Sequence, residues 1–161
     1  MKKIFIVFVI LATFFSTGMA KDLSWKKFDA GIAEAKKSGK MILIDVYTDW
    51  CKWCKTMDTV TYKDKKVSEY LSKNFVLIKL NAEANERIFY AGKKMSPGEF
   101  AQSMRIDGYP ATLFMKKNGE PITILPGFSE PKMFIHVLGF ISGSHFEKKS
   151  FDQYLAEKGV K

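Results

Sequence analysis

The chain has 161 residues, with 26 Lys and Arg against 17 Asp and Glu, a formal charge of +9. That length is one domain's worth and is enough to bury a core without disulfide staples. The basic residues are scattered rather than clustered, which argues against nucleic acid as a partner and for a solvated surface with weak steering toward acidic partners.

In chain order, Met1-Lys2-Lys3 is a basic start, Ile4 to Phe15 is almost wholly apolar, and Ser16 to Ala20 carries small residues at Gly18 and Ala20. Those three zones in that order predict a secretory signal peptide over 1–20, cleaved after Ala20, and hence a periplasmic protein. The competing reading is an uncleaved anchor, but the apolar run falls short of the roughly 20 residues a bilayer span needs. No Cys near the cleavage point offers a lipid acceptor. Cleavage would leave 141 residues, and the loss of Lys2 and Lys3 would lower the charge to +7.

Trp25, Phe28, Ile32 and Ala35 recur at helical spacing and predict an amphipathic helix ending near Gly39. Met41 to Tyr47 is an apolar run of buried-strand type, interrupted by Asp45. A polar, Lys-rich helical stretch then runs from Cys51 toward Asn74, and Phe75 to Leu80 is a second buried strand. Asn81 to Ser96 is polar around Ile88-Phe89-Tyr90 and reads as a loop with a helical turn. Pro97 opens a short helix from Gly98 to Arg105. Ala111 to Met115 and Ile122 to Leu125 flank Lys117-Asn118-Gly119-Glu120, a hairpin signal. Met133, Phe134, Val137, Leu138 and Ile141 predict a packed helix, and Phe151, Tyr154 and Leu155 one more short amphipathic segment. Strands separated by helices, followed by a hairpin, give an α/β fold: a central mixed β-sheet with helices on both faces.

The only two cysteines, Cys51 and Cys54, stand three apart where a strand gives way to a helix. A bridge across so few residues closes almost no loop and stabilises little, so the pair points to chemistry rather than stapling. The unpartnered N–H groups of a helix start favour a thiolate at Cys51, and Lys52 adds a nearby cation. Cys54, one turn on, is placed to resolve a mixed disulfide formed at Cys51. A zinc site would need two more ligands, and His136 and His145 are not at a finger spacing. Covalent haem would need His at position 55, where Lys55 stands. A Cu(I) site built on two thiolates remains open on residue chemistry.

Several separated motifs carry a family resemblance: Ile44 to Lys55, Lys79-Leu80-Asn81, Gly108-Tyr109-Pro110-Ala111-Thr112, Lys117 to Glu120 and Pro126-Gly127-Phe128. Over roughly residues 23–142 the chain resembles the thioredoxin-fold family. Within it, the chain is most similar to the C-terminal domain of the periplasmic thiol:disulfide interchange reductase and to small exported thioredoxin-like proteins. The resemblance implies a thioredoxin-like domain over 21–145, followed by a C-terminal helical tail over 146–161. It implies a cis-proline at Pro110 facing the disulfide, with Tyr109 offering its backbone to an extended substrate. It also implies that Asp45, paired with Lys79, relays a proton for Cys54. Trp50 matches the family's tryptophan before the first cysteine; Trp53 has no such match and is taken as a partner contact. Lys52-Trp53 replaces the Gly-Pro of cytosolic thioredoxins, Ala111 separates Pro110 from Thr112, and residues 83–104 exceed a minimal thioredoxin.

The expected function is a thiol–disulfide oxidoreductase, with reduction of substrate disulfides the preferred direction. Cys51 and Cys54 are catalytic, and Trp50, Lys52, Trp53, Tyr109 and Pro110 meet the substrate. The redox-active disulfide serves in place of any cofactor or metal. Its partners would be exported proteins bearing disulfides or thiols and a membrane thiol electron donor, with the chain itself a monomer. The alternative is a copper-binding or chaperone-type thioredoxin-like module that uses the same cysteines.

Overall fold

The computed structural model describes residues 22–160; the signal peptide expected over 1–20 lies outside them. The elements are β1 (Trp25–Lys26), α1 (Phe28–Ser38), β2 (Met41–Tyr47), α2 (Lys52–Thr56), α3 (Lys65–Asn74), β3 (Phe75–Asn81), β4 (Ile88–Tyr90), β5 (Lys93–Met95), α4 (Pro97–Ser103), β6 (Ala111–Met115), β7 (Pro121–Pro126), α5 (Pro131–Ser142) and α6 (Phe151–Glu157). A π-helical turn, Met57–Thr61, continues α2, and a 3₁₀ turn, His145–Glu147, precedes α6.

Five strands form one sheet in the order β1-β3-β2-β6-β7. β3 runs parallel to β1 and β2, while β6 pairs antiparallel with β2 and with β7. Because side chains alternate across a strand, β2 feeds two cores. Ile42, Ile44 and Val46 pack with Phe28 and Ala35 of α1 and Phe100 of α4. Leu43 packs on the other side with Met57, with Val67 and Leu71 of α3, and with Phe134, Leu138 and Ile141 of α5. The expected mixed sheet with helices on both faces is thus the observed one.

Three local expectations are corrected. Trp25 lies in β1, opposite Leu77, and the first helix begins only at Phe28; the helical spacing is genuine, but the backbone at Trp25 pairs with β3. The stretch from Cys51 to Asn74 is not one helix. It breaks after the π turn, and Asp64 caps a new one, its carboxylate accepting the Val67 N–H at 3.0 Å. Asn81 to Ser96 holds no helical turn but a two-stranded hairpin, β4–β5. Its two-residue turn, Ala91-Gly92, takes φ of 48° and 80°, the left-handed pair that a tight hairpin demands. Tyr90 ties this hairpin to the core, its ring meeting Phe28 and Phe100 edge-on.

The short helix after Ser96 starts at Pro97, with Ser96 and Glu99 capping each other reciprocally. At the C-terminus, α6 folds back on α5: Phe140 meets Phe151 and Tyr154 with ring centroids 5.3 and 5.4 Å apart.

Helix α1 approaches β3 closely at Gly31, where a Cβ would stand 2.3 Å from Ile78 Cγ1. Ile78 is fully buried and β-branched, so it cannot swing away. Gly31→Ala is expected to destabilise the fold by about 1–3 kcal/mol despite the gain of roughly 1 kcal/mol in helix propensity. Urea unfolding of the variant beside the parent measures this.

Candidate active site

The sheet converges on the cysteines. β2 ends at Tyr47, the chain turns through Thr48-Asp49-Trp50, and the Cys51 N–H donates to the Thr48 carbonyl at 3.2 Å. Cys51 is the extended N-cap of α2, and its Sγ accepts the Cys54 N–H at 3.1 Å. The cysteines form a disulfide, with their Cα atoms 5.3 Å apart. Both are buried, at 4% and 3% exposure, while Trp50 and Trp53 on either side of Cys51 are 68% and 57% exposed. Lys52, between them, points to solvent. Two exposed indoles therefore flank a buried sulfur pair.

The Tyr109–Pro110 peptide, just before β6, is cis. Tyr109 meets the Trp50 ring edge-on at 6.3 Å, and Trp53 lies against Phe128 at 5.4 Å. A cleft of about 310 Å³ is lined by Trp53, Tyr109, Pro110, Gly127 and Phe128, with no charged side chain among them. Gly127 N–H donates to the Pro110 carbonyl at 2.8 Å, which ties the two loops into one wall. On the far side, the Trp50 Nε1–H donates to Glu83 Oε1 at 2.9 Å, fixing the indole against the segment after β3. The structure thus brings Trp50, Trp53, Tyr109 and Pro110 together at one mouth.

Two residues before the end of β2 lies a polar cluster inside the sheet. Asp45 sits opposite Lys79 of β3 and Thr112 of β6. It is 1% exposed. Lys79 Nζ reaches Asp45 Oδ2 and Asp58 Oδ1, each at 2.5 Å. The Tyr62 and Thr112 hydroxyls are buried beside the carboxylate, and neither makes a hydrogen bond of good geometry within the described residues. Burial holds the Asp45 carboxyl above its ordinary range, and the Lys79 charge only partly offsets this. Burial pulls the Lys79 ammonium down, but Asp45 and Asp58 outweigh it and hold it above the usual lysine range. The two shifts share one direction: each member of the pair holds its proton more firmly than it would in water.

Reasoning from sequence gave no role to Asp58, Tyr62 or Glu83. Asp58 was within reach of such reasoning: it lies four residues after Cys54, one helical turn along the same face. Tyr62 and Glu83 depend on the break after the π turn and on the path after β3, which spacing does not reveal. His136 lies on α5, and His145 stacks on Tyr154. Among the described residues, no three His, Cys, Asp or Glu side chains gather as a metal-binding group.

Compared with known proteins, residues 28–142 match the thioredoxin-like domain family. The thiol:disulfide interchange protein DsbD of Vibrio cholerae is 29% identical over 111 residues, which cover 68% of this chain and 17% of that protein. The chain thus spans about a sixth of the length of that curated relative. Among solved structures, a thioredoxin-fold protein from Helicobacter pylori superposes with a TM-score of 0.62 at 21% identity, covering 81% of this chain and 92% of that one. The oxidised C-terminal domain of DsbD from Neisseria meningitidis gives 0.53 at 20% identity, covering 72% and 97%. Both likenesses concern the fold.

Because the native Asp45 carboxyl sits above its unfolded value, the folded chain keeps a proton that the unfolded chain has already lost. Its contribution to stability is full below about pH 4 and declines as pH rises through the native midpoint, by about 1.4 kcal/mol per unit of displacement. Urea unfolding of the oxidised protein between pH 4 and 8 is expected to show that decline, and Asp45→Asn to flatten it. An equal decline in the variant would locate the titration elsewhere.

Proposed function

The chain belongs to the thioredoxin-like domain family, and on that premise we propose that it is a periplasmic thiol–disulfide oxidoreductase that reduces disulfides of exported proteins. The observation that carries the proposal is the Cys51–Cys54 disulfide at the start of α2, beneath an apolar mouth shared by Trp50, Trp53, Tyr109 and Pro110. The residue pattern of 1–20 supports export, and the likeness to an interchange protein supports thiol exchange.

In the reduced chain, the Cys54 N–H that now meets Cys51 Sγ would stabilise a thiolate there. That thiolate attacks one sulfur of a substrate disulfide, forms a mixed disulfide and releases the other substrate sulfur as a thiolate. Cys54, deprotonated in turn, attacks Cys51 Sγ and restores the internal disulfide, releasing the second substrate thiolate. Two electrons pass from the chain to the substrate, and two protons complete the substrate thiols. Asp45 serves as the base for Cys54: its carboxylate takes the thiol proton, a transfer favoured by the raised proton affinity of the buried site, and Lys79 keeps Asp58 as its partner once Asp45 is neutral. Trp53 and Phe128 wall one side of the cleft, and Tyr109 presents its backbone to an extended segment. A membrane thiol donor then reduces the pair again.

Cys51→Ala is expected to abolish reduction of a model disulfide. Cys54→Ala is expected to accumulate mixed disulfides with its partners, visible by mass after acid quenching. Equilibration in glutathione or dithiothreitol buffers should place the couple nearer the thioredoxin value of roughly −270 mV than the roughly −120 mV of a dedicated oxidant. Activity retained in Cys51→Ala would sink the redox reading, and a potential near the upper value would reverse its direction.

A further inference from the structure

The Lys79 ammonium is held by more than two carboxylates. It lies 5.1 Å from the centre of the Trp25 ring, 4.9 Å from Tyr47 and 5.6 Å from Tyr62. These rings come from three different segments: the edge strand β1, the end of β2, and the break after the π turn. They also brace one another, since Trp25 meets Tyr62 edge-on at 5.0 Å and Tyr62 meets Phe134 of α5 at 5.8 Å. A lysine side chain ordinarily loses rotamer entropy to stay in one geometry, and ring faces replace part of the water its charge gives up.

We propose that Trp25, Tyr47 and Tyr62 are positioning residues that box the Lys79 ammonium between Asp45 and Asp58, and so set how far that ammonium offsets the buried charge of Asp45. This rests on the relay role given to Asp45 above. The box faces a surface of its own, apart from the disulfide mouth. A separate cavity of about 440 Å³ opens onto Lys79 and is lined by Trp25, Tyr47 and Asn81 among others. It shares no lining residue with the cleft beside the disulfide. Asp45 itself lines neither. The Lys79 side chain is 21% exposed against 1% for Asp45, so the ammonium is the member of the pair that solvent reaches.

The charged surroundings are defined on every side. Asp45 and Tyr47 face Lys79 from β2, and Asp58 and Tyr62 from the helical segment after α2. Asp49, in the following loop, acts on Tyr47. Across the cavity stand Lys26, paired with Glu34 at 3.1 Å, and Lys27, paired with Glu86 at 3.6 Å. Both are surface pairs that solvent screens, and the carboxylates in direct contact with Lys79 are Asp45 and Asp58.

The test follows the Asp45 carboxyl by ¹³C NMR in the oxidised chain, where no turnover is needed. Trp25→Leu should let the ammonium swing outward, so that the carboxylate loses support and its midpoint rises by about half a pH unit, the equivalent of one exposed ring contact. Trp25→Phe, which keeps a ring face, should cancel most of that rise, and in a Lys79→Met background Trp25→Leu should add nothing. Tyr47→Leu reads the same box should Trp25→Leu fail to fold by its amide spectrum. A midpoint unmoved in the folded variants, or moved equally without Lys79, overturns the box. Because the readout is equilibrium titration of a locked disulfide, it stands apart from the Cys51→Ala assay, whose failure would strike the redox reading instead.

Discussion

A carboxylate at the centre of a buried sheet must be neutralised, paired or both, since isolated burial of its charge costs several kcal/mol even after relaxation. Asp45 meets this constraint through register. Its strand neighbours are Lys79 on one side and Thr112 on the other. A slip of one residue in β3 would turn Lys79 to the opposite face and put Leu80 or Ile78 beside the carboxylate. The mixed sheet therefore has to form in this register for the site to be tolerated at all. The apolar residues alternating with Asp45 and Lys79 on both strands enforce it, because they fill the two cores.

The same topology places the disulfide. β2 and β3 run parallel and end on the side where β6 begins, so the loop into α2, the loop after β3 and the Tyr109–Pro110 turn meet at one rim. Ligands of open α/β sheets gather at the carboxyl ends of the strands for this reason. Each loop contributes one part: sulfur and indoles from the first, Glu83 from the second, the backbone beside Pro110 from the third. Phe128 arrives from the connection after β7, held in place where Thr61 donates to the Ser129 carbonyl at 2.6 Å. The sulfurs and both indoles thus share one segment, while the remaining walls of the rim come from separate segments on the same frame.

Much of this was legible in the sequence because it is local. Cys51 and Cys54 stand at a strand–helix junction, and three residues suffice to show it. Asp45 betrays itself as the single acid in an apolar run. Asn118-Gly119 marks its hairpin directly. The errors were of another kind. Trp25 fits a helical period as well as it fits a strand edge, and only the presence of β3 decides between them. Ala91-Gly92 carries a weaker turn signal than Asn-Gly, so the β4–β5 hairpin stayed hidden in a polar stretch. The break at Tyr62 was masked by an unbroken run of helix-compatible residues. It became visible only once Asp64 was seen to cap α3 and Tyr62 to pack against Trp25 and Phe134.

Two of those features, at Trp25 and at Tyr62, converge on one place. The strand edge at Trp25 and the break at Tyr62 supply two of the three rings around Lys79, and the helical turn before that break carries Asp58. Had α2 run straight into α3, Tyr62 would have stayed on a helix face rather than turning inward over the carboxylate. Had β1 been helix, Trp25 would not have reached β3. The departures from regular periodicity therefore have a common physical consequence: they close an aromatic and acidic wall around a charge that the sheet alone would leave half paired. Consistency between local pattern and fold is relaxed where a buried ionic group must be held, and here Trp25 lines a cavity that shares no residue with the cleft beside the disulfide.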